Sequence, residues 1–480
     1  MKMVKSLLLG SAAGLVAIAG AQAADLPVKA KPVQYVKICS LYGAGFYYIP
    51  GTDTCIKIGG YMRAEVNINA GGSYAVPNTL NLNNRNAFVQ DWRTRAAVTF
   101  DTRSQTAYGT LRSYIFISAT DDNSSAPGNS GNPAPANTTG ASGYNRIYAP
   151  VGFIQFAGFT AGKTLSFFDF DTMPYTNSSQ VWGSNQGGNG VQLFAYTAQF
   201  GNGFSATIAA ENADGHSMGI QGFGIAGPGA GVTATTANTY TDGNKTWPDL
   251  VANLRIDQAW GSAQIMGALH NVRSTDSAAA IAANTSNHPS DKTGYAIGAG
   301  AKINLPMIGA GDYLIGQVAW TKGATDYAGA NLGQLQTVTD NYPITSVGYG
   351  IALDGVVTGG GASLSLPTAF SFTLGFEHRW NPQWKTSLWG DYGRIRYSSA
   401  ASAVLAPGGA TGNANWDLWQ IGSRTVWTPV ANLDLSVEVM YNKLDQNWSG
   451  ASTVPAFAGA TFKDQDWWSG MFRVQRNFWP

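Results

Sequence analysis

The sequence is short of charge, of cysteine and of long apolar runs. Charged residues make up 12% of the chain, which is about half of the share found in ordinary soluble domains. Beyond the N-terminus, no stretch reaches the roughly 18 consecutive apolar residues that a membrane-spanning helix needs. The formal net charge is +1, so the chain lacks the basic excess of a nucleic-acid-binding protein. These shortages argue against a helical membrane protein and against a nucleic-acid partner.

Glycine and aromatic residues are abundant instead. The chain of 480 residues contains 59 glycines, and Phe, Trp and Tyr together make up 12% of it. Few charges, many aromatic residues and no spanning helix are typical of a β-barrel in an outer membrane. The lipid-facing surface of such a barrel must be apolar, but no single segment of it needs a long apolar run.

The first 23 residues have the layout of a secretory signal peptide. Two lysines precede an apolar run over residues 7–19, and the small residues Ala21 and Ala23 provide a cleavage site. The run is too short and too rich in glycine for a spanning helix. We therefore expect residues 1–23 to be removed on export.

Two cysteines, Cys39 and Cys55, are the only ones in the chain. An exported protein reaches an oxidising compartment, where such a pair is expected to form a disulfide. The alternative is two unpaired thiols. Two cysteines with no histidine nearby cannot complete a zinc site, so we predict neither a metal nor a cofactor.

Apolar and polar residues alternate along most of the mature chain. The stretches FSFTLGFEHRW (370–380) and LDLSVEVMYN (433–442) are examples. A period of two is the pattern of a β-strand with one apolar and one polar face. A soluble β-sandwich would alternate in the same way, so strand length and loop pattern decide the class.

Sixteen alternating segments can be counted, with seven short and eight long connections between them. Strands of about 9 to 11 residues, with short turns at one end and long polar loops at the other, are typical of membrane barrels. We predict an all-β fold, a 16-stranded antiparallel transmembrane β-barrel over residues 55–480, preceded by a periplasmic-side segment over 24–54. The predicted strands are 55–69, 88–102, 109–119, 145–157, 159–168, 191–200, 204–212, 250–260, 262–273, 293–305, 312–323, 370–380, 384–397, 416–429, 433–444 and 466–478.

Tryptophans concentrate at the ends of the predicted strands. Amphipathic rings prefer the level of the lipid headgroups, so a membrane barrel should carry two aromatic girdles. At the end with short turns, the girdle would contain Trp260, Trp380, Trp384 and Trp427. At the end with long loops, it would contain Trp320, Trp416, Trp467 and Trp468.

The stretch AGFTAGKT (157–164) comes close to a phosphate-binding P-loop. Ala157 stands where the first glycine belongs, and the aromatic, proline-bearing stretch that follows does not predict a helix. A P-loop must end a strand and begin a helix. We therefore interpret this stretch as a turn between two barrel strands.

Both ends of the mature chain resemble the alphaproteobacterial outer-membrane general porins. The stretches that carry the resemblance are CSLYGAGFYYIPGTDTCIKIGGYMR (39–63) and the terminal FRVQRNFWP (472–480). The resemblance implies a homotrimer of water-filled, 16-stranded channels. It also implies contact with outer-membrane lipid and lipopolysaccharide, and passive diffusion of small hydrophilic solutes and ions.

Four arginines fall on the polar faces of the first three predicted strands. They are Arg63, Arg93, Arg95 and Arg112. A barrel of this size encloses an aqueous lumen, which the polar faces line. We predict that these arginines form one side of a pore constriction. The alternative is that they are ordinary solvated wall residues paired with Glu65 and Asp91.

The third long connection, DFDTMPYTNSSQVWGSNQGGNG (169–190), is unusually apolar for an outer loop. It resembles the constriction loop of general porins, which follows the fifth strand. We predict that Met173, Tyr175 and Trp182 anchor it against the inner wall. Asp169 and Asp171 would then face the arginines across the pore.

No catalytic constellation is evident in the sequence. His216 and His288 fall in loops, His270 ends a strand and His378 shares the lipid-facing parity, and none has an evident serine or carboxylate partner. We therefore predict a channel and not an enzyme. The alternatives are a surface protein that adheres through its long loops, or a barrel hydrolase.

Overall fold

A closed antiparallel β-barrel of 16 strands forms the body of the protein. The computed structural model describes residues 37–69, 90–122, 144–170, 190–221, 240–329, 338–339, 344–454 and 458–478. Within these residues each barrel strand pairs with its sequence neighbours, and the first strand also pairs with the last. The predicted fold class is therefore confirmed.

The barrel strands are numbered here in chain order. They are β1 (Cys55–Ile68), β2 (Gln90–Thr106), β3 (Gly109–Asp122), β4 (Tyr144–Phe156), β5 (Phe159–Thr164), β6 (Val191–Gly201), β7 (Phe204–Glu211), β8 (Asp249–Gln258), β9 (Gly261–Val272), β10 (Lys292–Asn304), β11 (Tyr313–Lys322), β12 (Thr368–Asn381), β13 (Trp384–Arg396), β14 (Thr411–Val430), β15 (Leu433–Ser449) and β16 (Gln465–Asn477). Every predicted strand has a counterpart. The largest errors are at β14, which begins at Thr411 and not at 416, and at β15, which ends at Ser449 and not at 444. β5 ends at Thr164 and not at 168, because the chain turns into the barrel there.

The barrel closes where β1 and β16 pair, from Tyr61 opposite Asn477 to Ile68 opposite Gly470. On β1 the apolar Ile58 and Met62 are exposed on the outer surface, whereas Glu65 is buried on the inner face. The two-residue period of the strands thus separates a lipid-facing apolar surface from a polar lumen.

Tight turns join the strands at one end. The stretch suggestive of a P-loop supplies one of them, since Ala157 and Gly158 form the β4–β5 turn with φ angles of 50° and 88°. Asn202 and Gly203 do the same between β6 and β7, with φ angles of 49° and 77°. Two consecutive positive φ angles give a turn whose twist matches that of the flanking strands.

The segment before β1 is held by the predicted disulfide. Cys39 and Cys55 are bonded, with their Cα atoms 6.0 Å apart, so this prediction is confirmed. The short strand Tyr47–Tyr48 extends the sheet by pairing with the start of β1. Phe46 from the same segment packs under the guanidinium group of Arg103, 4.9 Å from ring centroid to Cζ. The segment therefore lies against the inner wall at the short-turn end.

At the other end, the long connections carry short elements of their own. None of the helices that the structure describes is long and apolar enough to cross a membrane. The short strands are Ile220–Gln221, Val338–Thr339, Ser346–Gly348, Gly355–Thr358, Ser363–Ser365 and Thr461–Phe462. The helices are α1 (Ala278–Ala282), α2 (Ser399–Leu405) and the 3-10 turns Ser40–Tyr42, Ala213–His216, Thr325–Ala328 and Gly359–Gly361, of which Ser40–Tyr42 precedes the barrel.

Two of the tryptophans expected in the long-loop girdle lie inside the barrel. Trp416 is fully buried and Trp467 is 7% exposed, whereas Trp468 is 59% exposed on the outer surface. Adjacent residues of a strand point to opposite faces, so Trp467 and Trp468 could not both face lipid. The prediction was wrong for Trp416 and Trp467, which belong to an apolar core within the lumen.

Candidate pore constriction

After β5 the chain enters the barrel. Residues 165–170, called here the inward segment, run along the inner wall of β7 to β11. The backbone N–H of Phe167 donates to Glu211 Oε1 at the end of β7, at 2.9 Å. Asn253 Nδ2 of β8 donates to the Phe167 carbonyl at 2.7 Å, and Gln264 Nε2 of β9 donates to the carbonyls of Phe167 and Asp169 at 3.3 and 3.2 Å.

The rings of Phe168 and Phe170 anchor this segment to the wall. Both side chains are buried. Phe170 N–H donates to Gln317 Oε1 of β11 at 3.3 Å, and Arg255 Nη1 of β8 donates to the Phe170 carbonyl at 3.0 Å. A Cβ atom on Gly300 of β10 would lie 2.4 Å from the Phe170 ring, so this glycine leaves the space that the ring fills.

Arginines project from the opposite wall. Arg63 of β1 and Arg95 of β2 are cross-strand partners. Arg63 Nε donates to Gln475 Oε1 at 2.8 Å and Arg95 Nε donates to Thr120 Oγ1 at 2.9 Å. A neutral acceptor holds a guanidinium group in place without cancelling its charge.

Glu65 joins two further arginines in the same patch. Arg473 of β16 donates through Nε to Glu65 Oε2 at 2.7 Å, and Arg93 Nη1 lies 3.7 Å from Glu65 Oε1. Parity on the last strand places Arg473 in the lumen, but we did not predict it for the constriction. Closure of the barrel next to β1 would have indicated it. Arg93 and Arg473 therefore share one carboxylate, and Arg63 and Arg95 lie two residues from Glu65 and Arg93 on the same strands. We call Arg63, Arg93, Arg95 and Arg473 the arginine patch.

Arg112 lies elsewhere. It pairs with Asp101 of β2 at 3.0 Å, next to Arg103, close to the β2–β3 turn. Asp101 is six residues from Arg95 along β2, which corresponds to about 20 Å at about 3.3 Å per residue. The structure thus brings together three of the four arginines we predicted, and it places Arg112 near the short-turn end.

The arginine patch and the inward segment lie on opposite sides of the barrel. In a ring of 16 strands, β9 is the eighth neighbour of β1 in either direction. Asp169 is half-buried in the inward segment. The other predicted loop residues, Asp171, Met173, Tyr175 and Trp182, lie outside the described residues. The anchors that the structure describes are Phe168 and Phe170 of LSFFDF (165–170). This aromatic run directly follows a strand, and that position could have indicated its role.

Three histidines have carboxylate partners, contrary to what we expected. His216 lies between Glu211 and Asp326, 3.0 Å from each. His270 Nδ1 is 2.9 Å from both carboxylate oxygens of Asp249, and His378 contacts Asp312. Most of these partners are far apart in the sequence, so spacing could not reveal them. Among the described residues, no group of three or more His, Cys, Asp or Glu side chains is arranged to hold a metal ion.

Comparison with known proteins agrees with this architecture. The sequence profile of a family described as "Porin subfamily" matches residues 25–471. The chain belongs to this porin family. It is 35% identical over 263 residues to porin Omp2b of Brucella abortus (strain 2308), and 34% identical over the same length to porin Omp2b of Brucella melitensis biotype 1. The match covers 54% of this chain and 64% of each relative, so the chain spans a little under two thirds of the curated relatives' length.

A solved structure shares the fold of this porin. The outer membrane channel DcaP of Acinetobacter baumannii superimposes with a TM-score of 0.56, covering 90% of this chain and 99% of that chain at 15% sequence identity. At this identity the likeness concerns the fold alone. The family expected from the two ends of the mature chain is confirmed.

Proposed function

We propose that this porin forms a water-filled channel through which small hydrophilic solutes and ions diffuse passively across the outer membrane. The observation that carries this proposal is the closed barrel with an apolar outer surface and a charged lumen. The long-loop end would be the outer side, and the short turns and the disulfide would face the periplasm. Residues 1–23 would be removed as a signal peptide during export.

The narrowest part of the channel would lie between the arginine patch and the inward segment. Charges at a constriction act on a passing solute over a few ångströms, whereas charges further away than the Debye length of about 8 Å are screened by physiological salt. Arg63, Arg93 and Arg95 would face Asp169 and Asp171, and the resulting transverse field would orient dipolar solutes. Met173, Tyr175 and Trp182 would extend the anchoring that Phe168 and Phe170 begin. Arg112 would act separately, at the periplasmic end.

The protein would assemble as a homotrimer within lipid and lipopolysaccharide. β5 has 6 residues and β7 has 8, fewer than the roughly 9 to 11 that a strand needs to span the hydrocarbon core. A wall this short is better covered by another subunit than by lipid. Nothing in this function requires a cofactor, a nucleic-acid partner or catalysis.

Single-channel recording in planar bilayers tests the function. The purified, refolded protein should insert and give discrete conductance steps, whereas a sample heated to unfold the barrel should give none. Absence of steps from protein that shows the heat-modifiable mobility of a folded barrel would refute the channel.

A further inference from the structure

A second segment also folds into the barrel, at its outer end. Residues 344–366, called here the outer strap, belong to the connection between β11 and β12. The strap has one charged residue, Asp354, and is otherwise glycine, small polar and apolar residues. Outer loops are normally polar because they meet water, so this composition already indicates burial.

One side of the strap is fastened to β14, β15 and β16. Ser346–Gly348 pairs in parallel with Thr461–Phe462, just before β16, and Gln465 Nε2 of β16 donates to Ser346 Oγ at 3.0 Å. Trp416 Nε1 of β14 donates to the Ile351 carbonyl at 2.8 Å. The apolar body of the strap packs here against lumen-facing side chains: Trp416, Leu418, Leu444 and Trp467.

The strap reaches the other side of the barrel within a few residues. Gly355–Thr358 pairs in parallel with Ile220–Gln221, which lies in the connection after β7. A Cβ atom on Gly355 would lie 3.1 Å from Val272 at the outer end of β9 and 3.3 Å from Ile220, so the strap runs close to both residues. β8 and β16 are opposite each other in a 16-strand ring, so the strap crosses the mouth from one wall to the other.

Its length fits such a crossing. Sixteen strands about 4.8 Å apart and tilted by about 40° enclose a barrel about 32 Å wide. An extended chain from Ser346 to Val356 covers about 33 Å. The extended length of the segment therefore matches the width of the barrel mouth.

Asp354 fixes the strap at the far wall. Its side chain is fully buried and accepts hydrogen bonds from Met218 N–H at 2.6 Å, from Thr325 N–H at 2.7 Å and from Thr325 Oγ1 at 3.0 Å. His270 Nε2 lies 3.6 Å away. Through these hydrogen bonds the buried carboxylate joins the strap to the connection after β7 and to the segment directly after β11.

We propose that the outer strap is a second narrowing of the channel, at its outer mouth, which sets the largest solute that can enter before the inward segment is reached. This inference rests on the proposed channel function. Val347, Ile351 and Val356 of the strap are buried, so the strap acts as a fixed partition and excludes solutes by size. Because its only charge is buried, the strap contributes little to ion selectivity, which remains with the arginine patch.

Two variants of the full chain test the proposal. In the first, a short Gly-Ser linker replaces residues 346–365. In the second, Asp354→Asn removes the carboxylate that fastens the strap. Asp312→Asn is the matched control, because Asp312 is equally buried and accepts from Arg379 N–H at 2.9 Å, but lies at the periplasmic end. Each protein is checked for heat-modifiable mobility, then for single-channel conductance and for swelling of protein-containing liposomes in sugars of increasing size.

The proposal expects the linker variant to conduct more and to admit larger sugars than the wild type, without a change in reversal potential. Asp354→Asn should shift both quantities in the same direction, and Asp312→Asn should not. A folded linker variant with wild-type conductance and size limit would overturn the proposal. Failure of the linker variant to fold would also overturn it, because the strap would then be part of the barrel's core. A wild-type protein that forms no channels would instead refute the function itself.

Discussion

At the scale of single residues, close packing explains positions that composition cannot. Gly60 on β1 has a φ of 150°, and a Cβ atom there would lie 2.1 Å from the Ala97 carbonyl and 2.4 Å from the ring of Phe478. Phe478 N–H also donates to the Gly60 carbonyl at 3.0 Å. Phe478, directly after β16, thus covers the β1–β16 junction by lying over a glycine.

Gly60→Ala should therefore impair closure of the barrel. The new methyl group meets backbone on one side and a ring on the other, and the φ angle disfavours any side chain, so we expect destabilisation by about 3 kcal/mol or more. The measurement is the fraction of protein that acquires heat-modifiable mobility on refolding, as a function of urea. Gly152→Ala on β4 is the control, because a Cβ atom there meets nothing within 4 Å. Equal refolding of the two variants would show that the junction tolerates a side chain.

His216 carries a second consequence at this scale. Burial alone would lower the pKa of His216, but the hydrogen bonds to Asp326 and Glu211 outweigh it and hold the pKa well above its ordinary value. A histidine whose pKa rises on folding stabilises the folded state fully below about pH 6.5 and loses this contribution as the pH rises through the folded-state pKa.

The contacts between the 3-10 turns Ala213–His216 and Thr325–Ala328 should therefore become less stable at alkaline pH. Hydrogen exchange of the 213–216 and 325–328 amides measures this, compared at each pH with His216→Gln so that the intrinsic pH dependence of exchange cancels. The difference in protection should be largest at neutral and acidic pH and should shrink as the pH rises. His288→Gln, a change at an exposed loop histidine, should leave protection unaltered. Protection that grows with pH in the wild type relative to His216→Gln would contradict the assigned charge state.

At the scale of elements, the strands were predictable and the segments inside the barrel only partly so. Alternation is a local signal, and it identified all 16 strands. Where the chain leaves the wall depends on contacts between distant residues, such as Phe170 with Gln317 or Ile351 with Trp416. Parity predicts which face of a strand a side chain is on, but its position along the barrel axis depends on the register between strands. For this reason parity alone placed Arg112 in the same constriction as arginines that are about 20 Å away. The near absence of charge in 344–366 was the one local signal of the strap.

The arginine patch should give the channel a preference for anions at its narrowest part. Replacing Arg63 and Arg95 with Ser removes two positive charges there and should move the zero-current potential in a salt gradient toward cations, more strongly at low salt because screening is weaker. Asp169→Asn should move it toward anions. Arg476→Ser is the control, since Arg476 is exposed on the outer surface near the turns. Equal potentials for the Arg63/Arg95 variant and the control would place the constriction elsewhere.

At the scale of the whole molecule, the wall of the barrel is uneven. The chain leaves the wall after Thr164 to form the inward segment, so the wall is short at β5. The shortness of β5 and the inward course of residues 165–170 are therefore two results of the same departure from the wall. We call the part of the barrel that β5, β6 and β7 form the low wall. In the proposed trimer, the neighbouring subunits would cover the low wall, so assembly of the trimer and the shape of the pore would be coupled.

Charge placed on the low wall should accordingly break the trimer and not the barrel. Phe194 on β6 is 75% exposed on the outer surface. In a subunit interface, Phe194→Lys would bury an unpaired charge and should convert the trimer band in mild detergent into a monomer band with unchanged heat-modifiable mobility. Leu388→Lys is the matched control on the opposite part of the barrel, called here the tall wall, where the strands are longer. Leu388 on β13 is 57% exposed on the same outer surface. Leu388→Lys should lower stability in lipid, where a charge near the midplane costs about 2 to 4 kcal/mol, and leave the trimer band in place. If the trimer survives Phe194→Lys but dissociates with Leu388→Lys, the subunit interface lies at the tall wall. The short strands of the low wall would then face lipid, and the bilayer would have to be thinner there.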